Sequence, residues 1–221
     1  MSSRYTIRPA SPSDAVQFSP LLQTTFREAF SHAEGMDRLE LEKYLSSALS
    51  VDTVRTYLED KSIIWLIGVS SYQHTDANCN KTNNDNDNDN DNAHDDRDSD
   101  KVEADQQVIV GVIQLNLPES TKSLLTSPTL FEAVTLPNPI EIRRLYIHTS
   151  FHGTGLAQSL LSQAEHLARE KGFQSLWLIV WSGNGRGIRF YEKCGFELVA
   201  EVADEDGWFK RKDSVMQKSL V

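Results

Sequence analysis

His148–Leu161 reads HTSFHGTGLAQSLL, with Gly153 and Gly155 one residue apart between an apolar strand-like run and an apolar helix-like run. Glycine at such a junction costs backbone entropy, so something should need bare backbone there. A phosphate is the usual answer, because first-turn N–H groups and the positive end of a helix together hold an anion. Two common phosphate loops fit poorly. A Walker loop needs Lys and Ser/Thr directly after its last glycine, where this chain has Leu156 and Ala157. A dinucleotide fingerprint wants three glycines after the first strand, whereas this loop lies in the second half of the chain and ends on Ala157. Taken alone, the loop is also compatible with a plain tight turn.

Working outward, IEIRRLYIH (Ile140–His148) reads as the strand that feeds the loop. Leu156–Lys171 reads as the helix that follows it. Leu156, Leu160, Ala164, Leu167 and Ala168 form its apolar face, and Gly172 ends it. SLWLIV is a buried strand, and Arg186–Cys194 a short helix with Asn184 near its start and Gly195 past its end. FELVAEV and DSVMQKSL close the chain as two strands across a loop around Gly207.

Before the loop, RYTIRP alternates and stops at Pro9, a short first strand. Ser11, Pro12 and Asp14 then supply an N-cap, a first helical residue and a capping-box acid. Phe18, Leu21, Leu22, Thr25, Phe26 and Phe30 follow on one helical face. A second helical stretch runs over Leu39–Leu58, with a break near Ser50. SIIWLIGVS (Ser62–Ser70) and VIVGVIQLNL (Val108–Leu117) lack alternation and read as buried strands paired with each other. A proline-bearing loop follows, with a short helical piece around Leu130. The pattern is a mixed α/β sheet rather than clean βαβα alternation.

Between the two buried strands lies NNDNDNDNDNAHDDRDSD (Asn83–Asp100). Residues 74–105 hold eleven acids and three bases, which is −8 of the formal −10 and leaves −2 for the other residues. This tract has too little apolar surface to offset the entropy of ordering, so it reads as a disordered insertion in a hairpin loop. Its Asp/Asn alternation offers oxygen ligands, but it lacks the glycine turn and terminal Glu of a calcium loop. The nearly neutral remainder gives no charge argument for a nucleic-acid partner. Cys79 and Cys194 form neither a disulfide framework nor a metal-ligand spacing. The opening residues MSSRYTIRPASPSD hold no apolar stretch of signal-peptide length. No run approaches the ~20 apolar residues a membrane span needs. The expectation is a cytoplasmic protein, shared with the nucleus or not, with no nucleic-acid or membrane partner and no metal.

Two motifs together carry a resemblance. FHGTGLA resembles the pyrophosphate loop of the GNAT N-acetyltransferases, Gln/Arg-x-x-Gly-x-Gly/Ala. His152, Gly153, Thr154, Gly155, Leu156 and Ala157 occupy it, with His152 where Gln or Arg is usual. WSGNGRGIRFYEKCGFELV is similar to the family's C-terminal signature, Asn-x-x-Ala/Gly-x-x-Phe-Tyr-x-x-x-Gly-Phe. Asn184, Gly187, Phe190, Tyr191, Gly195 and Phe196 match it in order. The two motifs stand one helix and one strand apart, as in the family. TIRPASPSDA and GVIQLNL resemble its opening and third strand, so the likeness spans residues 1–221 except the insertion at 74–105. It implies a single GNAT-type domain: a mostly antiparallel mixed sheet of six to seven strands flanked by about four helices. It implies acetyl-CoA as cosubstrate, a primary-amine acceptor, and leaves a homodimer open.

The resemblance also implies roles. The strand through Leu145, Tyr146 and Ile147 splays from its neighbour and binds pantetheine and the acetyl oxygen through backbone groups. Backbone N–H groups of residues 152–157 hold the pyrophosphate, and Asn184 contacts the cofactor. Tyr191 is the candidate general acid for the thiolate; its plainer reading is an aromatic packed beside Phe190. Glu141 is the candidate general base, acting through water; its plainer reading is an exposed Glu paired with Arg143 or Arg144. Glu28, on the first helix, reads as a surface charge that lines the amine pocket only if the fold brings it there. His148 is a reserve base, while His166 sits on a helix surface. QTTFREAF, LEKYLSSALSVDTVRTYLED and WLIVWSGNGRGIRFYEKCGF together resemble the spermidine/spermine-type branch, and Glu28, Glu34, Asp37, Glu40 and Glu42 are acids in the half that shapes the acceptor pocket. A polyamine or other small amine is therefore the expected acceptor. A protein lysine or N-terminal acetyltransferase, and a non-catalytic acetyl-CoA sensor, are the alternatives.

Overall fold

The computed structural model describes residues 5–33, 35–71, 107–124, 132–204 and 211–221. The Asp/Asn-rich insertion, the helical piece expected around Leu130, Glu34 and Cys79 lie outside them. The chain runs β1 (Thr6–Pro9), α1 (Ala15–Phe30), α2 (Arg38–Ala48), α3 (Val51–Glu59), β2 (Ile63–Ser70), β3 (Val108–Asn116), α4 (Pro118–Leu124), β4 (Pro139–Ile147), α5 (Leu156–Glu170), β5 (Ser175–Trp181), α6 (Gly185–Lys193), β6 (Glu197–Asp204) and β7 (Arg211–Ser219). Seven strands form one sheet in the order β1-β2-β3-β4-β5-β7-β6. Every neighbour is antiparallel except the β4–β5 pair, which is parallel.

Helices exceed the expected four for local reasons. The stretch over Leu39–Leu58 is two helices, because Ser50 turns extended and its hydroxyl caps α3 by accepting from the Thr53 N–H at 3.2 Å. Asp37 caps α2 in the same way at the Leu39 N–H, 2.8 Å away. Pro118 starts α4 where a loop was expected, as proline suits a first helical turn. At the entrance to α1, Asp14 accepts from the Ser11 N–H at 2.7 Å and from Arg8 at 2.7 and 2.8 Å.

The sheet divides two cores. On one face Ile113, Leu115, Ile140, Ile142, Leu176 and Leu178 pack against Leu156, Leu160 and Ala164 of α5. On the other, Trp65, Ile67 and Val112 pack against Phe18, Leu22, Leu41, Leu45 and Val54 of α1–α3. Gly68 and Gly111 let α5 approach closely. A Cβ at Gly68 would stand 2.6 Å from Leu156 Cδ1, and one at Gly111 would stand 2.9 Å from both Leu156 Cδ2 and Ile147 Cδ1. Leu156 is fully buried in that notch, which fixes the first turn of α5 against β2 and β3.

Candidate active site

β4 and β5 pair only from Pro139–Ser175 to Ile142–Leu178. Beyond Ile142, β4 continues to Ile147 paired with β3 alone, while Ile179–Trp181 of β5 stay paired with β7. The parallel ladder therefore opens toward its C-terminal end, and a cleft of about 860 Å³ fills the opening. Leu145, Tyr146 and Ile147 line it from β4, Tyr191 and Asn184 from α6 and its cap, and the glycine loop from the end.

The loop is built by its glycines. Gly153 has φ 77° and Gly155 φ 87°, both left-handed, and Gly155 is the N-cap of α5. The first-turn N–H groups of α5 have no acceptor within the helix. Nothing lies within 4 Å of a Cβ built on Gly153, so the backbone there faces open space that an anion can enter. Thr154 does not face the cleft; its hydroxyl donates to the Phe151 carbonyl at 2.8 Å and closes the turn. His152 clamps the loop instead. Arg186 donates to its Nδ1 at 2.9 Å, and because an arginine is only a donor, the proton sits on Nε2 and is donated to the Ile147 carbonyl at 3.0 Å. Partial desolvation, then the Arg186 guanidinium, holds the imidazole below its ordinary 6.5.

Asn184 caps α6 by accepting from the Gly187 N–H at 2.9 Å. A Cβ on Gly187 would meet Asn184 Nδ2 at 2.7 Å, which gives the Asn-x-x-Gly spacing a steric reason. One turn on, Tyr191 is 9% exposed, with Phe190 and Phe196 edge-on at 5.3 and 5.5 Å. Burial pushes its phenol well above the usual tyrosine value, so it keeps its proton through physiological pH.

Of the residues singled out from sequence, Leu145, Tyr146, Ile147, His152, Gly153, Gly155, Leu156, Ala157, Asn184 and Tyr191 line this one cleft. Thr154 and Glu141 do not. Glu141 is neither exposed nor at the cleft surface: it is 2% exposed, behind the wall. Asn116 Nδ2 donates to its Oε2 at 2.9 Å, and Arg143 approaches its Oε1 at 3.5 Å. Glu28, expected on the surface, is exposed and lines the cleft from the last turns of α1, beside Thr25 and Phe30. His148 bonds Ser150 at the strand end, and His166 pairs with Glu170 on the outer side of α5.

Arg143 and Arg144 were passed over as ionic partners, yet both line the cleft. Gln114 pairs with Arg144 and Leu115 with Ile142, so Arg143 is the extra residue of a β-bulge. A strict two-residue alternation would separate the two arginines onto opposite faces; the bulge turns both toward α1–α3.

The model of the Acetyltransferase (GNAT) family matches residues 63–196, from β2 to the end of the second motif. The chain belongs to the GNAT acetyltransferase family. An uncharacterized N-acetyltransferase of Lactobacillus delbrueckii subsp. lactis is 35% identical over 85 residues, 38% of this chain and 49% of that protein. The spermidine N(1)-acetyltransferase of Thermoplasma acidophilum is 32% identical over 87 residues, 39% and 49% of the two. This GNAT chain thus spans about half the length of the curated relatives it matches. The PaiA N-acetyltransferase of T. acidophilum, solved in complex with coenzyme A, superposes with a TM-score of 0.61 at 17% identity over 99% of each chain, a likeness of fold. Among the described residues of this family member no helix is long and apolar enough to cross a membrane.

Proposed function

We propose that this chain transfers an acetyl group from acetyl-coenzyme A to a primary amine, both substrates meeting in the cleft between β4 and β5. The carrying observation is the end of the β4–β5 ladder at Ile142–Leu178, directly beside a glycine-built helix N-terminus. The open backbone at Gly153 and the free first turn of α5 fit a pyrophosphate. The edge of β4 at Leu145 and Tyr146, unpaired with β5, offers backbone groups to an extended amide-bearing arm and to the acetyl oxygen, where charge builds during transfer. Acetyl-coenzyme A supplies the activated acyl group.

The chain's own side chains divide the proton work. Tyr191, protonated and inside the cleft, donates to the leaving sulfur. Glu28 lines the cleft and is placed to take the amine proton, directly or through water. Glu141 acts from behind the wall, by holding Arg143.

The expected polyamine or small-amine acceptor draws support from the spermidine N(1)-acetyltransferase relative. Arg143 and Arg144 on the cleft wall oppose a polycation, which favours a small amine of lower charge. The test is release of free thiol from acetyl-CoA by the purified chain against a panel of amines. Saturable release with at least one amine is expected. No release from any amine, together with no measurable acetyl-CoA binding, overturns the reading.

A further inference from the structure

The two cleft arginines are joined behind the wall by a buried polar relay. Arg144 Nη1 donates to Gln114 Oε1, Gln114 Nε2 donates to Asn116 Oδ1 at 2.7 Å, and Asn116 Nδ2 donates to Glu141 Oε2 at 2.9 Å. Arg143 closes the relay on Glu141 Oε1 at 3.5 Å. Gln114, Asn116 and Glu141 are 3%, 1% and 2% exposed, so this scaffold is fixed by the core and gives each arginine a fixed partner.

Charge balance differs between the two ends of the relay. Arg143 has the Glu141 carboxylate, at a long distance. Arg144 has only neutral partners: Gln114, the Tyr146 hydroxyl, and the rings of Tyr57 and Trp65, whose centroids both lie 5.9 Å from its guanidinium carbon. Among the described residues it forms no ion pair. Gln114 and Tyr146 occupy two of its five N–H donors. Among the described residues, Glu28 is the one acid lining this side of the cleft, against two arginines. A guanidinium positioned by neutral groups, with donors to spare and excess positive charge around it, is built to meet an anion.

That anion is not the cofactor's pyrophosphate. The glycine loop and α5 belong to the core on one face of the sheet, through Leu156 and Leu160. Arg144 sits against Trp65 and Tyr57, which belong to the core on the opposite face, under α1–α3. Thr25, Glu28 and Phe30 of α1 line the cleft on that same face.

We propose that Arg143 and Arg144 form a carboxylate-binding pair for the acceptor, so that the amine this chain acetylates is a small amine bearing a carboxylate, of the amino-acid class. This rests on the transfer reading above. The bulge at Arg143 brings two guanidiniums side by side, the relay fixes them, and Glu28 faces the ammonium end of the same molecule. A polyamine brings several positive charges to this wall and no anion to satisfy it.

The test compares rates of thiol release from acetyl-CoA for phenylalanine, phenylalaninamide and phenethylamine, with alanine, alaninamide and ethylamine as a second set, and spermidine. The amides have the more easily deprotonated amines, so basicity alone favours them over the acids. The expected result is kcat/KM at least ten-fold higher for an acid than for its amide, its amine or spermidine. Arg144→Gln should cut that ratio at least ten-fold, mainly through KM, and Arg144→Lys should restore part of it, since a lysine keeps the charge without the fork. Thermal unfolding of each variant checks that it folds, and Arg143→Gln gives an independent reading from the more exposed arginine. Equal or better turnover of amides or spermidine overturns the proposal. Should no amine be turned over, calorimetry with the coenzyme A-bound chain separates the two readings. Phenylalanine binding that Arg144→Gln weakens ten-fold leaves the carboxylate pair standing and the transfer reading failed; no preference for phenylalanine over its amide overturns the pair.

Discussion

Asn116 donates to Glu141 at 2.9 Å inside the sheet, and that bond faces Glu141 away from the cleft. A buried carboxylate held by an amide, a hydroxyl and an arginine, and outside the cleft lining, is placed as an anchor. Glu141→Gln should therefore loosen Arg143 and raise the acceptor KM by several-fold, while the acid limb of the pH–rate profile stays. Loss of that limb in the variant would return Glu141 to the role of general base.

Among the described residues, Glu28 is the carboxylate that lines the cleft, from α1. Removing a general base lowers the rate by about 10²-fold or more. Glu28→Gln should show that loss in kcat and flatten the acid limb, with the KM for acetyl-CoA within a few-fold. A retained limb and a near-normal kcat would exclude Glu28 as the base.

How much of this was legible in the sequence depended on whether the signal was local. The loop at Gly153 and Gly155 and the Asn184–Gly187 cap are local, because a positive φ or a steric notch over three residues dictates the residue type. The motif residues thus fell into one cleft, Thr154, Gly195 and Phe196 excepted. The face of a side chain on β4 was not local. It depends on the bulge between Gln114 and Leu115, a property of the pairing with β3 that one strand cannot announce. That shift brought Arg143 beside Arg144. Glu28 stood out no better, since a charge near a helix end reads as solvated until the strand it faces is known. Ser50 as a second N-cap was legible as a break, and it became one.

Tyr191 lies edge-on to Phe190 and Phe196, and its ring fills a site that phenylalanine fills equally well. Tyr191→Phe should leave the unfolding temperature and acetyl-CoA affinity close to the parent and lower kcat by about 10²-fold, the scale of one proton-transfer group. An unchanged kcat would make Tyr191 a packing residue.

Gly111 sits under Leu156 with little room for a methyl group: the added carbon would meet buried Leu156 and half-buried Ile147, each at 2.9 Å. Overpacking of that kind costs about 1–3 kcal/mol. Gly111→Ala should lower the urea midpoint accordingly and, by lifting the first turn of α5, weaken acetyl-CoA binding as well. A parent-like midpoint would show that Leu156 can yield.

His152 links the loop to α6, and its titration reports that link. Desolvation, and then Arg186 donating to its Nδ1, favour the neutral ring in the folded state, so its pKa lies below 6.5. Between that lowered value and 6.5 the unfolded chain binds more protons than the folded one. Stability from this group is therefore fully present above pH 6.5 and is lost as pH falls toward the folded value. Protonation also converts Nδ1 to a donor, which breaks its bond with Arg186 and frees the guanidinium at the mouth of the glycine loop. A proton NMR titration of the His152 ring should give a midpoint below 6.5. In Arg186→Gln the midpoint should rise, though not fully, because desolvation remains the larger cause. A wild-type midpoint at or above 6.5, or one that Arg186→Gln leaves in place, would mean that the His152–Arg186 bond does not form in solution.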